Sequence, residues 1–216
     1  MNILAIDSAS SAISLAVSKG DEIICHETAL SENQSEYIMA HIDEIVKKAL
    51  LKPENLNCIL CMNGPGSFTG LRIGFSIAKA ISLSLNIPFF PISTLETIAF
   101  GCETKTISVI KAVKGAFFYA IFENGCRLTQ DAEAKTEEFQ EIIANNSPNN
   151  DKITINGHGA RELCEYLPNL MPYLGVKADK IGYSKELIHI AKTKEIIHND
   201  YNLFLHSGPD YIRRGS

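Results

Sequence analysis

The alternation of apolar and polar residues at the start of the chain predicts a three-stranded β-meander. Apolar residues dominate 3–6 and 11–18, and a third such stretch at 22–28 follows a Lys-Gly-Asp turn. Runs of this length bounded by turn residues are typical of neighbouring antiparallel strands. We therefore expect three sequential strands joined by short turns.

The next segment, residues 36–51, has the period of an amphipathic helix. Its apolar positions recur at helical spacing: Ile38, Ile42, Ile45, Val46, Ala49 and Leu50. Ser35 is a suitable N-cap, and Pro53 stands just beyond the end. We expect one face of this helix to pack on a sheet.

The remaining pattern predicts an α/β fold of two lobes, each with a mixed sheet and helices on its faces. In the first half, a buried-type strand at 58–62 precedes an apolar helix at 71–85 and a short strand at 88–93. The second half predicts the strands 106–111, 116–122, 126–130 and 152–156 and the helices 136–145 and 160–167. We place the N-terminal lobe at 1–103 and the smaller C-terminal lobe at 104–216.

Charge and composition narrow the function classes. A net charge of -5 at pH 7 argues against a broad basic surface for nucleic acid. The start of the chain has no basic segment typical of a secretory signal, and prolines interrupt the longest uncharged run, 80–95. The six scattered cysteines indicate unpaired thiols in a reducing compartment. We expect a cytoplasmic protein without a membrane span.

The stretch NGPGSFTGLRIG, residues 63–74, looks like a phosphate-binding loop at the start of a helix. The stretch matches neither the Walker nor the dinucleotide-binding pattern. The Walker pattern requires glycine where Thr69 or Leu71 stands, and the dinucleotide-binding pattern requires glycine where Thr69 stands. The glycines and the free N–H groups of a first helical turn suit an anion and a closely packed backbone equally. Candidate nucleotide or loop residues are Asp7, from the turn after the first strand, and Gly64, Pro65, Gly66, Ser67, Thr69 and Arg72.

Small residues recur every fourth position along the helix that follows this loop. Gly70, Gly74, Ala78 and Ser82 form this stripe, and larger apolar side chains flank it. Such a stripe permits the close approach of a second helix. The second helix belongs either to residues 35–51 of the same chain or to a partner protein.

The order of elements and several motifs together resemble the TsaB (YeaZ) family, relatives of TsaD in the actin-like and sugar-kinase-like, ribonuclease H-like superfamily. The motifs are ILAIDSAS, NQSEYIMAHIDEIVKKA, NGPGSFTGLRIG, ISTLETIA and PDYIRR. The chain departs from the family at Gln34, where a His is usual, and at 111–113, where KAV replaces an Asp-Ala-Arg stretch. The resemblance covers the first lobe densely and the second thinly.

This resemblance implies a non-catalytic scaffold for the synthesis of N6-threonylcarbamoyladenosine at position 37 of ANN-decoding tRNAs. It implies direct binding to TsaD, a complex that TsaE joins, a homodimer when the chain is alone, and contact with tRNA only through partners. ATP, ADP and metal would lie in the partner subunits. The implied partner or dimer interface lies on two helices and comprises Glu36, Tyr37, Met39, His41, Gly70, Leu71, Gly74, Phe75, Ala78 and Ser82.

The chemistry of the chain agrees with a subunit that has no catalytic residues of its own. Asp7 corresponds to a metal-serving Asp of kinase-like relatives, but Ser8 and Ala9 stand where a glycine must admit phosphate. The histidines lack the i, i+4 spacing of the TsaD metal site, so we expect no metal and no cofactor here. Cys58 and Cys61 are interpreted as core thiols. The alternative is a stand-alone small ATPase or kinase-like enzyme of the same superfamily.

Overall fold

A computed structural model describes residues 1–10, 12–29, 34–113, 115–147, 152–168, 174–176, 180, 182–194 and 207–210. The strands are β1 Asn2–Asp7, β2 Ala12–Lys19, β3 Glu22–Ala29, β4 Cys58–Gly64, β5 Phe89–Ser93, β6 Thr106–Lys111, β7 Ala116–Glu123, β8 Cys126–Arg127, β9 Ala132–Lys135, β10 Ile153–His158 and β11 Leu174–Val176. The helices are α1 Gln34–Lys48, α2 Phe68–Leu85, α3 Thr94–Ala99, α4 Phe139–Asn146, α5 Ala160–Glu165 and α6 Ser184–Thr193.

The described residues divide into two units. Unit 1 comprises Met1–Thr94 together with the described parts of Ile181–Asp210, and unit 2 comprises the described parts of Leu95–Lys180. This division differs from the predicted boundary after residue 103 in two respects: the first change of unit comes after Thr94, and the described residues of Ile181–Asp210 return to unit 1. The sequence pattern predicts no element beyond residue 167, so it does not reveal that the chain returns to unit 1.

Unit 1 is built on a five-stranded mixed sheet in the order β3-β2-β1-β4-β5. β1, β2 and β3 are antiparallel neighbours, whereas β4 pairs in parallel with β1 and β5. The predicted meander is therefore confirmed. The parallel strands are reached through helical crossovers, as parallel pairing requires.

Helices cover both faces of this sheet. α1 and α2 share one apolar cluster with alternate residues of β1, β2 and β4, including Ile6, Leu15 and Ile59. Because successive strand residues point to opposite faces, Ser14 lies on the other face. There the hydroxyls of Ser14 and Ser184 are 2.6 Å apart, which places α6 against the second face.

α2 satisfies the length and composition of a membrane-spanning helix, and it is the one helix among the described residues that does so. One face of it is nevertheless buried in unit 1: Gly70, Leu71, Gly74, Phe75, Ala78 and Ser82. A core helix passes the same test of length and composition. Its apolar character is explained by packing on the sheet.

Unit 2 has a six-stranded sheet in which β11, β10, β6, β7 and β8 follow one another and β9 also pairs with β7. α4 and α5 contribute Phe139 and Leu163 to its core. The predicted strand 126–130 is shorter, since β8 ends at Arg127. The sequence missed β9 because its residues AEAK have low strand propensity, and pairing with β7 overrides that preference.

Candidate functional site

The glycine loop between β4 and α2 lies directly on the turn that follows β1. The backbone N–H of Ser67 donates to the carbonyl oxygen of Ala9 at 2.7 Å. In return, the hydroxyl of Ser8 donates to the carbonyl oxygen of Gly70 at 2.8 Å. The Ser67 hydroxyl accepts from the N–H of Gly70 at 3.2 Å and caps α2. Two N–H groups that would serve an anion are thus bound to the protein itself.

The loop glycines allow contacts that no side chain permits. A Cβ at Gly66 would overlap the carbonyl oxygen of Ala9, and a Cβ at Gly70 would overlap that of Ser8. A Cβ at Gly74 would meet the hydroxyl of Ser8. The packing alternative left open by the sequence accounts for all three glycines.

Gly64 makes a similar contact with residues near the end of the chain. The backbone N–H of Asp210 donates to the carbonyl oxygen of Asn63 at 2.7 Å, and a Cβ at Gly64 would overlap the carbonyl oxygen of Asp210. Gly64 also has a φ of 114°, which few residues other than glycine adopt. Of the motif PDYIRR, only Pro209 and Asp210 lie within the described residues.

Lys79 of α2 also contacts this C-terminal segment. Its ammonium group donates to the carbonyl oxygen of Ser207 and lies 5.3 Å from the centre of the Phe75 ring. The residues 207–210 are therefore held at two points, by Lys79 and by Asn63. The sequence left the role of Lys79 open, and the structure assigns it an anchoring contact.

Asp7 ends β1 and is buried, with both carboxylate oxygens bonded to backbone donors. Oδ1 accepts from the N–H of Ala9 at 3.0 Å, and Oδ2 accepts from the N–H of Tyr183, just before α6, at 2.8 Å. Burial raises the pKa of Asp7 to about 6; those two hydrogen bonds oppose the rise, and Glu186 and Glu27 add to it. The carboxylate joins the β1–β2 turn to the start of α6.

The small-residue stripe on α2 lies against the chain's own turn and strands. Gly70 and Gly74 meet Ser8, and Gly74 also faces Ile6. Leu71, Phe75, Ala78 and Ser82 are likewise buried within unit 1. At Gly70 and Gly74 the β1–β2 turn of the same chain, rather than a second helix, lies against the stripe. Contact of Ala78 and Ser82 with a second helix stays a prediction.

The exposed surfaces of α1 and α2 carry four large apolar side chains. Tyr37 is 54%, Met39 51%, Phe68 53% and Leu83 65% exposed. The guanidinium carbon of Arg72 lies 3.8 Å from the centre of the Phe68 ring. Tyr37 and Met39 lie on α1, and Phe68 and Leu83 lie on α2, the two helices predicted to form the interface.

The remaining residues of the predicted interface and of the predicted loop site occupy different environments. His41 is half-buried and its ring stacks on that of His26, with 4.6 Å between centroids. The side chain of Glu36 lies outside the described residues, as does that of Gln34. Pro65 is buried, and Thr69 is exposed at the start of α2.

Two chemically suggestive features of the sequence have structural explanations. Cys58 and Cys61 are buried in β4, and burial raises the pKa of Cys58 to about 12 and that of Cys61 well above its ordinary value. These are core thiols, as predicted. In unit 2, Lys111 pairs with Glu162 at 2.8 Å, and Val113 is exposed.

Two sequence comparisons with known proteins agree with each other. The family model described as TsaD, tRNA N6-adenosine threonylcarbamoyltransferase, matches residues 26–197. The tRNA threonylcarbamoyladenosine biosynthesis protein TsaB of Bacillus subtilis is 26% identical over 224 residues, which cover 99% of this chain and 94% of that protein. Both matches extend across the two units described above.

Solved structures agree on the fold. A Pseudomonas aeruginosa protein described as similar to peptidase YeaZ superposes with a TM-score of 0.81 at 16% identity, covering 98% of this chain and 99% of that one. A Bacteroides thetaiotaomicron protein with an actin-like ATPase fold gives a TM-score of 0.50 at 12% identity, covering 87% and 95%. The predicted fold class is confirmed.

Proposed function

This chain belongs to the TsaB (YeaZ) family, whose domain matches that of the TsaD tRNA N6-adenosine threonylcarbamoyltransferases, and on that premise we propose that it is a non-catalytic subunit that docks on TsaD. Its process is tRNA threonylcarbamoyladenosine biosynthesis. In this proposal TsaE joins the pair, the chain forms a homodimer when TsaD is absent, and the complex works in the cytoplasm.

The observation that carries the proposal is the packing of the glycine loop on the turn after β1. In kinase-like relatives this turn serves phosphate. Here the hydroxyl of Ser8 bonds to Gly70 and the carbonyl oxygen of Ala9 bonds to Ser67, so the glycine loop itself packs on this turn. Asp7, the metal candidate in this turn, accepts a hydrogen bond from a backbone N–H group on each carboxylate oxygen. This geometry favours a structural role over phosphoryl transfer.

The docking surface in this proposal is the exposed face of α1 and α2. Tyr37 and Met39 on α1 and Phe68 and Leu83 on α2 supply apolar anchors. Arg72, stacked on Phe68, adds a cation at the same surface. Aromatic, Met and Arg side chains are the types enriched at protein interfaces. The buried small-residue stripe supports this surface from beneath.

The charge balance supports a proposal in which the partners hold the tRNA. A net charge of -5 supplies no surplus of cations for a phosphate backbone. In the proposed complex, TsaD and TsaE hold the tRNA, and they also hold the nucleotide and the catalytic metal.

Reconstitution with TsaD and TsaE of the same organism tests the proposal. We expect a stable complex with TsaD on size-exclusion chromatography. With a threonylcarbamoyl-adenylate supplied, we expect modification of an ANN-decoding tRNA to depend on this chain. A TsaD that modifies tRNA equally well without the chain contradicts the scaffold role.

Calorimetric titration of the isolated chain with Mg-ATP addresses the enzyme alternative. The proposal expects no saturable binding in the micromolar range and no turnover. Micromolar binding accompanied by hydrolysis would assign the chain to the ATPase or kinase-like class instead.

A further inference from the structure

Three potential metal ligands converge between β3 and α1, away from the glycine loop. His26 lies on β3, and His41 and Glu44 lie on α1. One ligand atom from each residue lies within 4.8 Å of those of the other two. His41 and Glu44 share a helix face because they are three positions apart. The spacing of the histidines in the sequence does not reveal this cluster, because His26 and His41 lie on different elements.

The polar atoms of this cluster are not satisfied by one another. Nε2 of His26 is buried and has no hydrogen-bond partner among the residues that the structure describes. The two imidazole rings stack at 4.6 Å with 28° between their planes. Nδ1 of His41 lies 3.9 Å from Oε2 of Glu44, too far for a hydrogen bond. A buried ring nitrogen without a partner is costly unless something else binds it.

The spacing of these atoms fits ligands of a single ion. Ligands bonded about 2.0–2.1 Å from a tetrahedral zinc lie roughly 3.4 Å from one another. The ligand atoms lie within 4.8 Å of one another, and because the two imidazole rings are stacked, both rings must rotate for their lone pairs to converge on one ion. Two imidazoles and one carboxylate form a donor set that suits zinc and related divalent transition metals.

We propose that His26, His41 and Glu44 bind one Zn²⁺ ion, with a fourth position left for water or a further donor. The ammonium group of Lys48 lies 2.7 Å from Oε1 of Glu44, so the other carboxylate oxygen, Oε2, remains on the side of His41. This contact supports the proposed arrangement. The ion joins β3, the edge strand of the first sheet, to α1. It thereby fixes the helix that carries Tyr37 and Met39.

Metal binding is measured on untagged, metal-free full-length protein. Titration of Zn²⁺ against a chromophoric chelator is expected to give one ion per chain with micromolar or tighter affinity. Co²⁺ in place of Zn²⁺ is expected to give the intense visible spectrum of a four-coordinate site. Saturating Zn²⁺ binds only the folded state, so the midpoint of thermal unfolding should rise by roughly 5 to 10 °C at a hundredfold excess over Kd.

Three ligand variants and two controls make the test specific. His26→Ala, His41→Ala and Glu44→Gln should each weaken Zn²⁺ binding by about tenfold or more and remove the thermal shift. Asp43→Asn is the matched control, since Asp43 also forms an i, i+4 pair with a lysine but lies outside the cluster. His189→Gln controls for general imidazole binding. Both controls should bind Zn²⁺ as the wild type does.

Two results overturn the proposal: Zn²⁺ binding that survives all three ligand variants, or wild-type binding no tighter than that of Glu44→Gln. Circular dichroism checks that each variant is folded. Glu44 is largely exposed, so Glu44→Gln keeps the test valid even where the substitution of half-buried His26 disturbs the fold.

Discussion

The hydroxyl of Ser8 donates a hydrogen bond to the carbonyl oxygen of Gly70, 62 positions away in the chain, at 2.8 Å. One helical turn later, a Cβ at Gly74 would meet that same hydroxyl. Ser8 thus bonds to the first turn of α2 and sets how close the helix lies to the turn after β1. The glycine spacing of the loop motif follows from this contact.

Glycine substitutions on α2 should separate two kinds of steric conflict. Gly74→Ala is expected to lower the free energy of unfolding by about 1–3 kcal/mol, because the new methyl meets the Ser8 hydroxyl. The second substitution Ser8→Ala removes that oxygen and should recover part of the lost free energy of unfolding. We expect a coupling energy of roughly 1 kcal/mol between the two substitutions in a double-mutant cycle. Urea denaturation measures both values.

Gly70→Ala is the matched control for this rescue. Its methyl would overlap the backbone carbonyl of Ser8, which Ser8→Ala leaves in place. The loss should reach about 3 kcal/mol and show no rescue. Equal rescue of both glycine variants would contradict the assignment of Ser8 as the contact.

Acidic substitutions on the exposed helix face should weaken docking without unfolding the chain. Met39→Asp and Leu83→Asp place a charge where the proposed interface buries apolar area, so affinity for TsaD should fall at least about tenfold. Leu128→Asp is the control, because Leu128 is 49% exposed, as Met39 nearly is, but lies in unit 2. Surface plasmon resonance measures the affinities. If Leu128→Asp alone lowered the affinity for TsaD, the interface would not lie on α1 and α2.

Asp7 should make the stability of the chain depend on pH between about 4 and 6. Since its folded-state pKa is raised to about 6, the folded state binds the proton more tightly than the unfolded state in this window. The contribution of Asp7 to the free energy of unfolding is present below pH 4 and is lost as pH rises through 6, on the order of 2–3 kcal/mol.

Denaturation curves of Asp7→Asn across this range check the sign. The variant cannot titrate, so the difference between wild type and variant should change by that amount from pH 4 to pH 6. Asp43→Asn, which removes an exposed carboxylate, is the control measured alongside. A flat difference for Asp7→Asn would show that its carboxylate titrates normally.

Lys79→Met should loosen the segment 207–210. The ammonium group that bonds to the carbonyl oxygen of Ser207 is lost, while the stem of the side chain is kept. The Asp210 N–H bonded to Asn63 should exchange with deuterium about tenfold faster, since a charge-assisted bond no longer supports it. Lys47→Met, which removes the exposed ion pair with Asp43, should not alter exchange at Asp210.

Prediction from the sequence was most accurate for the elements whose structure is set by short-range periodicity. The β-meander, α1 and α2 follow from alternation and helical spacing, and structure and sequence agree on them to within a few residues. β9 and the return of α6 to unit 1 depend on pairing and packing with distant residues, so local pattern could not reveal them.

The candidate site was predicted in part for the same reason. The loop at 63–74 was recognised from its glycines, but what they contact depends on where Ser8 and Ala9 lie in space. Small residues accommodate a helix, a turn or a ligand equally well. His26 and His41 stand 15 positions apart on different elements, so only the packing of α1 on β3 brings them together.

The return of α6 to unit 1 imposes an order on biosynthesis. A ribosome completes β1–β5 long before it translates Tyr183, whose N–H bonds to Asp7, and Ser184, which lies against Ser14. Until then the nascent sheet keeps one face uncovered, although the continuous segment of unit 2 has already been translated. The face that α6 covers is therefore the last part of this sheet to be buried, and its apolar residues are open to aggregation until α6 is made.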